Sequence, residues 1–190
     1  MKIDKSAIAS AFGRAAESYD QSATVQKKVA DRLFKEFLAL HSGEDFNDYT
    51  LLDAGCGTGY LSQKGRRKGA TVTALDLSLE MLAEAQEANV ATYYAQGDIE
   101  QLPFEAERFD GVISSLAVQW CHSFAKAINE LNRVRKSQGK VAVATLLEGS
   151  LRELDQAWRA VDNYKHTIDF ISKRKAKEAL KRVKGGLIIY

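Results

Sequence analysis

The sequence predicts an α/β protein: a mostly parallel sheet with helices on both faces. First, strand-like apolar runs and amphipathic helical stretches alternate along the 190 residues, the pattern of a parallel sheet. Second, Leu51-Leu52-Asp53-Ala54-Gly55-Cys56-Gly57-Thr58-Gly59 joins a buried strand to a helix through three alternate glycines. That is the layout of a nucleotide-type binding loop, in which a Cβ would obstruct a ligand approaching the backbone. Third, the strand-like run from Ala70 to Leu75 ends in a carboxylate, Asp76, about twenty positions beyond the loop, where it can accept both hydroxyls of a ribose.

The elements follow in order. Ile8, Ala11, Phe12 and Ala15 have helical spacing and predict a short amphipathic helix outside the sheet. Val25, Val29, Leu33 and Phe37 form the stripe of a stronger helix, and a loop from His41 to Asp45 leads to the first strand. The helix after the glycine loop is weak, because Gly65 in its interior costs about 1 kcal/mol relative to Ala and withholds an apolar side chain from the sheet. Ser78 is an N-cap with Glu80 in the first turn, and Met81, Leu82 and Ala85 give that helix its buried side. Val90 to Ala95 is a third strand and Phe109 to Ser115 a fourth. Phe124, Ile128 and Leu131 mark the next helix, and Gly139 turns the chain into a fifth strand, Val141 to Leu147. Ser150-Leu151-Arg152-Glu153 reads as a capping box opening a helix whose buried face is Leu151, Leu154, Trp158 and Val161. A basic helix starts near 173, and Gly185 to Tyr190 is a candidate sixth strand.

Length and composition suit one domain over residues 1–190, with an N-terminal segment (1–24) and a tail (163–190) outside the strongest pattern. No run has the length of a transmembrane helix and no signal-peptide core is present, so a cytoplasmic protein is expected. Cys56 and Cys121 form no CxxC pair, which argues against a zinc site or a disulfide framework, and no metal site is expected. His41, His122 and His166 have no motif context. The net charge is +2, but Lys173 to Lys184 holds seven Lys/Arg and one Glu, a local +6, leaving −4 elsewhere. Such a segment attracts an acidic partner or forms a solvated helix face. No aromatics are interleaved with the charges, which disfavours nucleic acid.

Asp53, Gly55, Gly57 and Gly59 resemble the acidic-x-GxGxG motif of class I S-adenosylmethionine-dependent methyltransferases. Asp53 is well placed for the ammonium of a methionine moiety. Gly97-Asp98-Ile99 with Leu102-Pro103 is similar to a run in small-molecule members, where the aspartate binds the adenine amino group and the next apolar residue stacks on the ring. Three blocks resemble more specifically the BioC family, the malonyl-carrier-protein methyltransferases of biotin synthesis. They are the Phe12-Gly13-Arg14-Ala15-Ala16 to Tyr19-Asp20 segment, the Leu116-Ala117-Val118-Gln119-Trp120-Cys121 stretch, and the Gly149-Ser150-Leu151 to Ala157-Trp158 stretch. The resemblance implies a Rossmann-like fold and a lid carrying Tyr19. It implies a cofactor site drawing also on Cys56, Leu77, Met81, Ser114 and Leu116, and pocket walls from Gln119 and Trp120 beside Tyr19. It covers roughly residues 6 to 160, and family members continue well past the position of Tyr190, which implies a shortened acceptor side and an incomplete sheet edge.

The activity so implied is methyl transfer from S-adenosylmethionine, leaving S-adenosylhomocysteine, to the free carboxylate of a malonyl thioester on an acyl carrier protein. That carboxylate is ionised at pH 7 and needs no general base, in keeping with a sequence that shows no Ser-His-Asp or Cys-His arrangement; no catalytic residue is assigned. Some cation must hold the non-attacking oxygen, and Arg152 is a candidate. The basic segment near 173 is expected at the crevice rim, where it would meet an acidic carrier. The alternatives are a methyltransferase for a quinone precursor or another carboxylic acid, and a non-catalytic cofactor-binding domain.

Overall fold

The computed structural model describes residues 4–41, 46–162, 168–181, 183 and 186–189. The expectations that fall on 42–45, His166, Lys184, Gly185 and Tyr190 lie outside them. Six strands form one sheet in the order β3-β2-β1-β4-β5-β6, with every pairing parallel. They are β1 (Thr50–Ala54), β2 (Thr71–Asp76), β3 (Tyr93–Gln96), β4 (Phe109–Ser115), β5 (Arg135–Ala144) and β6 (Gly186–Ile189). The helices are α1 (Lys5–Ser22), α2 (Thr24–Ala39), α3 (Tyr60–Arg67), α4 (Leu79–Glu87), α5 (Phe124–Val134), α6 (Arg152–Arg159) and α7 (Lys173–Leu180).

Alternate strand residues feed the two faces, as a strand period of two requires. Leu52, Val112, Val141 and Val143 meet Ile128 and Leu131 of α5 and Ala176 of α7. Leu51, Ile113, Ala142 and Ala144 meet Leu33, Phe34 and Phe37 of α2 and Leu61 of α3. Both faces are covered, so the central strands read as continuous apolar runs rather than alternating ones. The order reverses direction at β1, whose neighbours are β2 and β4. The carboxyl ends of those strands open the crevice where α/β folds bind ligands.

Several expectations change. The N-terminal helix is longer than its apolar spacing predicts, because the Asp4 carboxylate accepts the amides of Ser6 and Ala7 and starts it a turn earlier. Val25 is exposed, and the buried side of α2 turns through Ala30, Leu33, Phe34 and Phe37. Gly139 lies inside β5 rather than before it. The register slips between Phe109↔Arg135 and Gly111↔Lys140, and the Arg135 guanidinium ties the extra residues by donating to the carbonyls of Lys136, Ser137 and Gly139. The capping box does not form. Gly149 and Leu151 have left-handed backbones (φ 93° and 59°), so the Ser150 hydroxyl turns back to accept the Leu147 amide. The face expected to be buried on α6 is open, with Leu151, Leu154, Trp158 and Val161 between 40% and 73% exposed.

Gly65 also has a different reason from a missing core side chain. A Cβ there would stand 2.6 Å from Leu51 Cδ2 and 3.1 Å from Val72 Cγ2, so the glycine lets α3 seat directly on β1 and β2. Gly65→Ala gains about 1 kcal/mol of helix propensity but overpacks two fully buried strand residues, at a cost of about 1–3 kcal/mol. Urea unfolding should show the variant less stable by about 1 kcal/mol, and a more stable variant would contradict this packing.

Candidate cofactor site

The glycine loop and the strand tips converge beneath α1. Gly55 and Cys56 donate their amides to the Leu75 carbonyl (2.7 and 2.9 Å), which pins the loop to the end of β2. All three glycines have left-handed backbones. A Cβ on Gly55 would collide with Ala117 and one on Gly59 with Val90, whereas Gly57 faces open space. The missing Cβ thus leaves open space at Gly57, whereas at Gly55 and Gly59 it makes room for protein packing.

Asp76 ties three loops together. Its carboxylate accepts the amides of Gly57 (2.8 Å) and Ser78 (2.9 Å), and its carbonyl accepts that of Gly97 (3.0 Å). Burial pushes its carboxyl upward against the Ser78 and Gly57 amides, which favour the charge. Asp53, 1% exposed, accepts from the Ser62 hydroxyl at 2.7 Å. Burial raises its carboxyl to about 7, partly offset by Ser62 and reinforced by the charge of Asp76. A cation bound beside these two carboxyl groups would favour their ionised forms.

The cavity runs under the inner face of α1. Lys5, Ile8, Phe12 and Tyr19 line it from above. Asp53, Gly55, Cys56, Gly57, Asp76, Leu77, Met81, Asp98, Ile99, Leu116, Trp120 and Cys121 line it from below and the sides. Phe12 joins the wall residues through edge-on contacts with Trp120 (5.6 Å between centroids) and Tyr19 (6.2 Å). Cys56 and Cys121 have thiols pushed up by burial, Cys121 to about 12, so neither is poised as a nucleophile. Among the described residues no group of three His, Cys, Asp or Glu side chains could hold a metal ion.

Two expected site residues point elsewhere. Ser114 is fully buried and donates its hydroxyl to the Ala54 carbonyl at 2.7 Å, bracing β4 against β1, and its neighbour Ser115 takes the place on the lining. Gln119 does not line the cavity either. Its amide donates to the Leu116 carbonyl (2.8 Å) and accepts from the Thr145 hydroxyl (3.4 Å), which holds Leu116 in its left-handed conformation (φ 52°). Lys5, Ile8, Phe12 and Cys121 line the cavity without having been singled out for it. The signal for the first three was present, since positions 5, 8 and 12 share one helical face that ends in Tyr19.

These are features of a known class. The family profile described as "Methyltransferase domain" matches residues 52–143. The malonyl-acyl-carrier-protein O-methyltransferase of Salmonella typhimurium is 47% identical over 95% of this chain and 69% of its own length. That of Pseudescherichia vulneris is 45% identical over 96% of this chain and 70% of its own. Among solved structures, the YcgJ protein from Bacillus subtilis superposes with TM-score 0.61 at 21% identity, over 78% of this chain and 65% of that one. The cyclase SpnF superposes with TM-score 0.61 at 20% identity, over 82% and 55%. The structural likenesses show the fold alone, and a cyclase among them illustrates that fold does not fix chemistry. The fold and the matched domain define a class I methyltransferase. The sequence relatives are more specific: this chain belongs to the malonyl-acyl-carrier-protein O-methyltransferase family. No helix among the described residues is long and apolar enough to cross a membrane.

The Asp53 carboxyl makes the ligand-free fold pH-dependent in a definite direction. In the unfolded chain it ionises near pH 4, whereas in the folded chain it keeps its proton up to about 7. Between those values the folded state binds more protons, so this group's contribution to stability declines as pH rises through the window. Wild type should therefore lose stability relative to Asp53→Asn in urea unfolding between pH 5 and 7.5. Parallel pH profiles for the two proteins would contradict the burial of an ionisable Asp53.

Proposed function

We propose that this protein transfers a methyl group from S-adenosylmethionine to the free carboxylate of a malonyl thioester carried by an acyl carrier protein. The observation that carries the reading is the series of acidic groups along one roofed cavity: Asp53 at the tip of β1, Asp76 at the tip of β2 and Asp98 just after β3. Their order suits the cofactor end to end, with Asp53 taking the ammonium, Asp76 the ribose hydroxyls and Asp98 the adenine amino group beside Ile99. When bound, S-adenosylmethionine supplies an electrophilic methyl on a sulfonium. The chain's own contribution is to orient and to exclude water: α1 roofs the cavity, and Phe12, Tyr19 and Trp120 form an apolar wall. A malonyl carboxylate is already ionised at neutral pH, so alignment and desolvation suffice without a general base.

The test is incubation with labelled S-adenosylmethionine and a small malonyl thioester, with Asp76→Ala as the control. The expected outcome is a malonyl methyl ester, with cofactor affinity reduced at least tenfold in the variant, as befits loss of a charged hydrogen-bond acceptor. Binding without turnover on malonyl thioesters would favour a non-catalytic cofactor-binding domain. Turnover on another acid alone would reassign the substrate.

The placement of α7 refines how an acidic carrier docks. Ile171 bridges Leu147 just past the carboxyl end of β5, and α7 then runs back to the amino end of β6. Only its first turn, with Lys173 and Arg174, stands on the crevice side; Lys181 lies toward the opposite edge, so the basic segment does not follow the rim as expected from sequence. Charge reversal at Lys173 should slow methylation of carrier-bound malonate several-fold at low salt and less at high salt. Reversal at Lys181 should have little effect, and neither should alter the rate on a small thioester. Equal loss at both positions would contradict this orientation.

A further inference from the structure

We propose that Lys5 is a cofactor-positioning residue: it fixes the Asp98 carboxylate for the adenine amino group and latches α1 over the bound cofactor. This rests on the cofactor reading above. Lys5 and Asp98 are 93 residues apart in sequence, yet the Lys5 ammonium donates to both Asp98 oxygens (2.7 and 2.6 Å) and also meets the Glu100 carboxylate. An ammonium has three donors, and all three are engaged by two carboxylates that line or border the cavity.

The acceptor count on Asp98 explains the use of this arrangement. A carboxylate offers about four lone-pair sites. On Asp98, Oδ1 accepts from Lys5 and from the Glu100 amide (2.9 Å), and Oδ2 accepts from Lys5. One direction on Oδ2 remains, fixed by the other three, for an N–H donor in the cavity. Burial works against the Asp98 charge, but Lys5 and the Glu100 amide outweigh it and hold the carboxyl below its ordinary range.

Glu100 extends the latch to the far wall. Only 4% exposed, it accepts the amides of His122 (2.8 Å) and Ser123 (2.9 Å), directly before α5. Those residues follow Trp120, which Phe12 touches two helical turns beyond Lys5. Thus α1 grips the same wall segment twice, once through charge and once through aromatic contact. With α1 held over a filled cavity by both contacts, weakening the ion contact should speed ligand exit.

The experiment uses S-adenosylhomocysteine with wild type, Lys5→Met, Lys5→Arg and Glu100→Gln, reading affinity by calorimetry and dissociation by stopped-flow tryptophan fluorescence. Lys5→Met keeps the apolar stem and removes the charge. It should bind about tenfold more weakly, as expected for losing a charge-assisted hydrogen bond, with most of the change in a faster dissociation rate. Lys5→Arg should restore most of the affinity, and Glu100→Gln should shift the dissociation rate in the same direction as Lys5→Met. Ligand-free melting temperatures separate this from folding, since a merely structural lysine would lower them without accelerating ligand exit. Wild-type affinity and exit rate in Lys5→Met and Glu100→Gln would overturn the inference while leaving the cofactor assignment intact. Failure of wild type to bind S-adenosylhomocysteine would overturn both.

Discussion

The rest of the site depends on one partly buried carboxylate. Asp76 ends β2 and is held by three amides from three different loops, those of Gly57, Ser78 and Gly97. The Gly57 and Ser78 amides stabilise a charge that burial disfavours, while the Gly97 amide is held by the Asp76 backbone carbonyl; all three belong to backbones that must be positioned to bind a ligand. The glycine loop, the start of α4 and the segment after β3 therefore have one common reference point. The sheet supplies the rigid frame, since β1 and β2 are locked between two apolar layers and cannot shift Asp76 without disturbing both.

Above that frame, α1 has a different kind of attachment. It contributes little to the sheet core and instead packs along α4 and over the cavity. Gly13 lies so close to the Glu80 side chain that a Cβ would meet it at 2.7 Å. Its main ties to the crevice wall are the Lys5 ion cluster and the Phe12–Trp120 contact. A roof fastened by a few polar and aromatic contacts, rather than by a shared core, can open without unfolding the domain. For a methyl transfer that needs no proton removal, a roof that excludes water and an aligned carboxylate are the main demands on the protein.

Much of this was legible in the sequence where the signal was local. The strand–glycine–helix run with Asp76 gave the parallel sheet and its crevice, and Ser78 caps α4 as its position predicts, accepting the Met81 amide. What was not legible depended on which way a side chain turns at a strand end. Ser114 and Ser115 are indistinguishable in sequence, yet one braces β1 and the other lines the cavity. Gln119 looked like a pocket wall because it is polar beside Trp120, but its amide is spent on Leu116 and Thr145. The capping box failed because left-handed residues at Gly149 and Leu151 redirect Ser150. Lys5 shares the helical face of Ile8 and Phe12, but its role does not follow from that face, since its partners Asp98 and Glu100 are remote in the chain and no periodicity encodes them.

The most direct test of the central claim is a crystal structure of this chain with S-adenosylhomocysteine. The ribose hydroxyls should sit on Asp76, the adenine amino group on the remaining acceptor direction of Asp98, and the homocysteine ammonium toward Asp53, with α1 closed above. A ligand bound outside the cavity, or bound inside it with Asp76 and Asp98 making no contact, would contradict the account.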